Sequence, residues 1–272
     1  MPVEKPVDIS SLLEEDTSDA DTSAKKSVLV FIPCWLVHTF TSAIAAFVFI
    51  PFFMGLTVNR MGGERIEKVR HYLTAQVTIV GALFGDIAAA VLVIFLSIRL
   101  MKNSLRRTRY VDAAWVLGPV PELLNGAVVG ILTFIALFGL NVLLLSGEAA
   151  ENSFVENQIA LNASLGMTFV LMINSVRFLI SSPIEEMLFR GVVLGGFSKS
   201  FGKPVGVLAS TIFFVAIHFP FDGWDDIYTY VGLSLVTISL RFKTGAIGPS
   251  IACHIAYNFV VLILTAVGIS KL

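Results

Sequence analysis

Residues 123–146 read LLNGAVVGILTFIALFGLNVLLLS, with no Asp, Glu, Lys or Arg among them. An α-helix needs about 20 mostly apolar residues to cross the hydrocarbon core of a bilayer, so this stretch is long enough to span it. The whole chain of 272 residues is 56% hydrophobic and 14% charged, whereas ordinary globular domains have roughly 25% charged residues. The composition therefore indicates a membrane-embedded protein and argues against a soluble one.

Six further apolar stretches, the last three of them shorter, raise the predicted number of membrane-spanning helices to about seven. Backbone N–H and C=O groups in lipid must be satisfied within each segment, so helices are favoured over strands. The predicted fold is therefore all-α and polytopic. One of the six, at 159–180, is expected to continue into a new segment that opens at Pro183. The six stretches lie at about 28–58, 73–98, 159–180, 204–219, 227–241 and 246–268.

Composition and apolar pattern divide the chain into three parts. Residues 1–26, with seven acidic residues and three lysines, have too little apolar content to fold and predict a disordered, solvated tail. Residues 27–158 predict the N-terminal transmembrane helices, and residues 159–272 predict a C-terminal transmembrane domain. Beyond the tail, the basic residues fall in short clusters rather than in one broad stripe, so no nucleic-acid partner is expected.

The distribution of Lys and Arg predicts the orientation in the membrane. Residues 99–109 contain five basic residues and residues 147–158 contain none, which places the first loop in the cytoplasm and the second outside. Alternation then places the N-terminus in the cytoplasm, and in a prokaryote the membrane would be the plasma membrane. Residues 60–72 conflict with this assignment, because they carry four basic residues on the predicted outer side.

Three short motifs place polar and ionisable groups in or beside apolar helices of the C-terminal half. An ionisable residue at the centre of a span costs about 2.5–3.5 kcal/mol on insertion scales, so each one is a functional hypothesis. Together they supply a general base, a second group to hold water and donors for an oxyanion, which suits amide hydrolysis in a polar cavity. The motifs are Glu185-Glu186-x-x-x-Arg190, Phe214-x-x-x-His218 and His254-x-x-x-Asn258.

A structural interpretation of each motif stays open at this point. Ser182 as N-cap, Pro183 at the first helical position and Glu185 three residues after the cap would form a capping box. Glu186 and Arg190 stand in the favourable order for a helical ion pair, which would leave Glu185 available for chemistry. The histidine of the second motif could be a packed interfacial residue, and the polar pair of the third could simply hydrogen-bond between helices.

In this order, the three motifs resemble the signature of the CPBP family, which includes type II CAAX prenyl endopeptidases and bacteriocin-processing or self-immunity proteins. The resemblance covers roughly residues 159–268. It implies a metal-independent, glutamate-dependent intramembrane protease with no cofactor, whose partners are membrane lipid and a peptide or protein substrate, with prenylated substrates among the candidates. The site would open to the cytoplasm, where prenylated C-termini are found.

The resemblance also implies a role for each residue. Glu185 would be the general base on a water molecule shared with His218, although the capping-box geometry alone would make this glutamate the structural one. The other roles are polarisation of the scissile carbonyl and stabilisation of the oxyanion by His254 and Asn258, and orientation of the site by Glu186 and Arg190.

Three other functions remain as alternatives. The Glu and His residues could bind zinc, although the sequence has no His-Glu-x-x-His helix. The chain could instead be a non-enzymatic membrane scaffold or immunity protein, in which the polar groups only join helices. It could also be a transporter, since Asp86 and Arg177 lie in apolar stretches and could belong to an ion path. For these two residues an interhelical pair or a snorkelling side chain is the favoured interpretation.

Overall fold

The structure, a computed structural model, describes residues 24–41, 80–96, 117–145, 167–222 and 227–267. Every regular element within these ranges is helical, which confirms the all-α prediction. Most of the acidic tail and the loops 99–109, 147–158 and 60–72, on which the predicted orientation depends, lie outside the described residues. The helices are α1 (24–41), α2 (80–96), α3 (Val120–Leu145), α4 (Met167–Glu186), α5 (Leu194–Phe201), α6 (Lys203–Asp222), α7 (Ile227–Thr244) and α8 (Gly248–Val267), and a π-helical segment, Met187–Val193, joins α4 to α5.

Among the described helices, one is long and apolar enough to cross a membrane by length and composition. It is the part of α3 at Val120–Leu140, with 21 residues and a mean hydropathy of 2.2. Only 22% of its most apolar window is buried, whereas the core helix of a soluble protein would be mostly covered. Shorter apolar helices lie at Val80–Leu96, Lys203–His218 and Gly248–Leu264. The total of about seven spans therefore stays a prediction.

The described residues divide into two compact units. The first contains the start of α1, the start of α3 and the chain from Glu185 to Ile251. Its core is aromatic: Phe189 and Phe214 are fully buried and meet edge to face with ring centroids 5.3 Å apart. Buried hydroxyls join its helices, because Ser250 donates to the Thr237 carbonyl over 2.8 Å.

The second unit contains the rest of α1, most of α2 and α3, α4 as far as Ile184, and α8 from Ala252. Gly130 of α3 faces the backbone of Cys253 so closely that a methyl group in its place would overlap the Cys253 carbonyl. Beside this contact, Phe134 packs edge on to Tyr257 with ring centroids 5.5 Å apart. Small residues allow this close approach between apolar helices, where van der Waals packing is the main attraction.

Candidate functional site

The two adjacent glutamates of the first motif have different environments, both within the first unit. Successive residues of a helix point about 100° apart, so neighbouring side chains leave the helix in different directions. The side chain of Glu186 is fully buried, whereas 22% of the Glu185 side chain is exposed. The buried carboxylate is therefore suited to a structural role, and the accessible one can meet water.

Glu186 forms the ion pair that the sequence predicts. Its Oε2 lies 3.3 Å from Nε of Arg190, four residues later, and both side chains are fully buried. The guanidinium of Arg190 also lies over the ring of Phe214, 4.4 Å from its centroid. A buried guanidinium is stabilised by an opposite charge and by the negative face of an aromatic ring.

The chain around this ion pair is π-helical, a conformation that is rare and frequently occurs at functional sites. Hydroxyls from two other helices bind its carbonyls. Ser210 of α6 donates to the Phe189 carbonyl over 3.0 Å, and Ser27 of α1 donates to the Val192 carbonyl over 2.9 Å. These bonds anchor the segment that carries Arg190.

His218 of α6 is held by its own helix. Its Nδ1 lies 2.8 Å from the carbonyl oxygen of Phe214, one turn earlier. A carbonyl oxygen can only accept, so Nδ1 must carry the proton. In the neutral imidazole, Nε2 then has the lone pair.

The lone-pair side of His218 faces Glu185. Nε2 of His218 and Oε2 of Glu185 are 3.8 Å apart, and each side chain is 22% exposed. This separation is too long for a direct hydrogen bond. Oε2 of Glu185 is itself buried although other atoms of the side chain are exposed, so a water that bridges the two groups requires them to move slightly apart. A carboxylate and an imidazole nitrogen that face each other across such a gap can together accept protons from one water molecule.

The third motif lies in the second unit, on α8. His254 is buried, with 3% of its surface exposed. Asn258 donates from Nδ2 to Oγ of Ser182 on α4 over 3.1 Å. A carboxamide nitrogen has two hydrogens, so this bond leaves one for another acceptor.

The capping-box interpretation of the first motif is wrong. α4 runs through to Glu186 without a break, with Pro183 inside it rather than at the start of a new segment. Ser182 is fully buried and its hydroxyl accepts from Asn258 instead of capping a helix. An N-cap pattern is only a local signal. Here the apolar surroundings keep the helix continuous, because its backbone groups have no water to replace their hydrogen bonds.

Asp86 and Arg177 form the interhelical pair that the sequence favours for them. Nε of Arg177 donates to Oδ2 of Asp86 over 3.0 Å, joining α4 to α2 within the second unit. A further partner of Asp86, which the motifs do not include, is His38, whose Nδ1 lies 3.5 Å from Oδ1 of this aspartate. Its position inside an apolar stretch was the available signal.

The glycine pair of α3 was also missed. Gly126 and Gly130 stand four apart in the apolar stretch quoted first, in the G-x-x-x-G pattern that is typical of closely packed membrane helices. In the first unit, a methyl group at Gly126 would overlap the Pro249 carbonyl, just as one at Gly130 would overlap Cys253 in the second. The spacing of these glycines could have predicted both contacts.

In the part of the chain that the structure describes, no group of three or more His, Cys, Asp or Glu residues is arranged to hold a metal ion. The zinc alternative therefore gains no support from the donor set.

A comparison with protein-family models tests the resemblance to the CPBP family. Residues 165–260 match the family model described as Type II CAAX prenyl endopeptidase Rce1-like. This part of the chain is similar to an Rce1-like domain. The match spans all three motifs and confirms the family that they indicated. Comparison with curated proteins and with solved structures gives no match.

The Rce1-like family is membrane-embedded and acts on membrane-associated peptides as a protease. An Rce1-like domain therefore agrees with the apolar composition of the chain and with the apolar helix at Val120–Leu140.

Proposed function

We propose that this protein is an intramembrane endopeptidase in which Glu185 and His218 activate a water molecule for attack on a peptide bond. The observation that supports this most strongly is the 3.8 Å gap between Oε2 of Glu185 and Nε2 of His218, with both side chains partly exposed. The Rce1-like match over residues 165–260 supports a protease.

The proposed reaction begins with one water between these two acceptors. Glu185 takes a proton from the water as its oxygen bonds to the carbonyl carbon, and the carbonyl π electrons move to the oxygen. His218 accepts the second hydrogen bond of the water and so fixes the direction of the attack. When the C–N bond breaks, the proton returns from Glu185 to the leaving nitrogen, which balances the hydrolysis. A positioned general base of this kind contributes about 10² to 10⁴ in rate.

We assign the stabilisation of the oxyanion to His254 and Asn258, following the family resemblance. The second Nδ2 hydrogen of Asn258 can serve this role while the first is bound to Ser182. Removing one oxyanion donor typically costs about 10² to 10³ in kcat. Glu186 and Arg190 are proposed to hold the site in shape, since their buried ion pair is adjacent to Glu185 in the chain.

The proposed substrates are prenylated CAAX-type peptides or other membrane-associated peptides. The basis for this is the family, since the geometry of Glu185 and His218 suits any peptide bond. The glutamate-type, metal-independent mechanism likewise belongs to the proposal.

The test uses the full-length protein in lipid nanodiscs and a farnesylated CAAX peptide with a fluorophore and a quencher on either side of the cleavable bonds. We expect Glu185→Gln, which preserves shape and hydrogen bonding, to lower kcat by about 10² or more. We expect His218→Ala to lower it comparably. Leu208→Ala, at a site on α6 that is 59% exposed, is the matched control and should retain the parent rate.

Undiminished cleavage by both Glu185→Gln and His218→Ala would overturn the proposal. Loss of cleavage with a chelator and recovery with zinc would instead support the zinc protease. Absence of cleavage by the parent protein on farnesylated and unmodified transmembrane peptides alike would favour the scaffold or immunity alternative.

A further inference from the structure

The ring of Tyr230, on α7, lies flat against the imidazole of His218 in the first unit. The two ring centroids are 4.3 Å apart and the planes meet at 23°. Tyr230 is outside the three motifs and twelve positions from His218 in the chain. The contact therefore comes from the packing of α7 against α6 rather than from either helix alone.

The imidazole of His218 has few internal constraints on its orientation. The torsion that rotates a histidine ring about its Cβ–Cγ bond has broad, shallow preferences. The hydrogen bond from Nδ1 to the Phe214 carbonyl fixes one edge of the ring. The ring of Phe214 also touches it, at 4.7 Å and an angle of 51°, which is tilted rather than parallel.

The hydrogen bond to Phe214 and the tilted Phe214 ring leave rotation of the imidazole partly unrestrained. The stacked ring of Tyr230 restrains this rotation. With Tyr230 parallel to the imidazole, rotation of His218 would drive its edge into the phenol ring. The allowed orientation is the one in which Nε2 faces Oε2 of Glu185 across 3.8 Å. An aromatic face is also attractive to a cationic ring, so it favours any positive charge that the imidazole gains while it shares the proton of the water.

We propose that Tyr230 is a positioning residue for the hydrolytic reaction, which keeps His218 in the plane that directs Nε2 at the water shared with Glu185. This inference rests on the proposed function. The positioning role belongs to the flat ring of Tyr230 and not to its hydroxyl group, because the ring contacts the imidazole.

The experiment compares three variants by steady-state kinetics on the farnesylated peptide, with the full-length protein in nanodiscs. Tyr230→Phe keeps the ring and should stay within about threefold of the parent kcat. Tyr230→Leu fills similar space without a flat face, and we expect kcat to fall by about 10- to 100-fold, since small misplacements of reacting groups cost up to this much. KM should change by less than about threefold, because substrate binding does not require the orientation of His218. Leu235→Ala, on the same helix and 45% exposed, is the control and should match the parent.

A further substitution at Tyr230 is the control for a folding defect. Tyr230→Met also lacks a flat face but is flexible and fills irregular space, so it should share the low kcat of Tyr230→Leu while its thermal unfolding midpoint stays near that of the parent. Equal losses in Tyr230→Phe and Tyr230→Leu would overturn the proposal, because the hydroxyl would then be the active part. A raised KM with the parent kcat would overturn it as well, since Tyr230 would then contact the substrate.

The same assay separates this inference from the proposed function. If the parent cleaves, Glu185→Gln does not, and Tyr230→Leu retains the parent kcat, the positioning role is wrong and the proposed function stands. If cleavage by the parent does not depend on Glu185, both are wrong, because the reaction that Tyr230 would support does not occur.

Discussion

Each of the two units contains an arginine paired with an acidic side chain, and the two pairs are built differently. In the first unit, Glu186 and Arg190 lie one turn apart on the same stretch of helix, and both side chains are fully buried. In the second unit, Asp86 and Arg177 are 91 residues apart in the chain. Asp86 is buried there, but a quarter of the Arg177 side chain is exposed.

The local pair and the long-range pair therefore have different structural roles. The local pair cannot draw distant parts of the chain together, and the role proposed for it is to neutralise the buried charges of the segment next to Glu185. The long-range pair joins α2 to α4 and contributes to the packing of the second unit. Because the acidic side chain is buried in both pairs, loss of its partner should be costly in each unit. The loss of stability should be larger in the first unit, where the remaining charge has no access to solvent.

The largest loss of stability is expected for Arg190→Met. Methionine fills a similar volume but leaves the carboxylate of Glu186 fully buried without its arginine. Breaking a buried pair in this way typically costs about 3–5 kcal/mol. The measurement is the free energy of unfolding by SDS in mixed micelles, compared with the parent protein.

The double variant Glu186→Leu with Arg190→Met is the control for this prediction. Replacing both partners of a buried pair by apolar residues is often neutral or stabilising. The double variant should therefore recover most of the stability that the single variant loses. If it is as unstable as Arg190→Met, the loss comes from packing against Phe214 and not from the unpaired charge.

A smaller loss is expected for Asp86→Leu. The guanidinium of Arg177 loses its carboxylate but keeps Asn174 as an acceptor at 3.5 Å, and its exposed part can reach polar surroundings. A hydrogen bond to a charged group is worth about 1.5–3 kcal/mol, so we expect a loss in that range. The same SDS titration measures it.

Two results would change this comparison. A loss for Asp86→Leu as large as that for Arg190→Met would mean that Arg177 is not relieved by its exposure. An effect of Asp86→Leu on the kcat of cleavage greater than that of the control Leu208→Ala would show that the second pair also supports the site. We expect neither, since Asp86 and His38 stand outside the proposed reaction.

The sequence could predict the first pair and not the geometry of the second. Glu186 and Arg190 are a local pattern, and helical periodicity alone brings them together. The partners of Asp86 depend on which helices pack side by side, and that information is spread over the whole chain. The stacking of Tyr230 on His218 was beyond prediction for the same reason, because no local spacing links α6 to α7.

Local pattern also misled at one position. Ser182 and Pro183 have the residue types of a helix start, but α4 continues past them. In water, such a pattern competes well with a continuous helix, because solvent satisfies the freed backbone groups. Among apolar helices that compensation is missing, so the helix persists and the Ser182 hydroxyl binds Asn258.

The smallest effect is expected for His38→Phe, which removes the second basic partner of Asp86 while it keeps the volume of the ring. The 3.5 Å separation is long for a hydrogen bond, and the His38 side chain is 36% exposed. Partly exposed ion pairs are worth about 0.2–1 kcal/mol, so the loss should stay below about 1 kcal/mol in the SDS titration. Since Arg177 is the nearer partner of Asp86, at 3.0 Å, Arg177→Met should destabilise the protein more than His38→Phe does. The reverse order would mean that His38 is the main partner of Asp86.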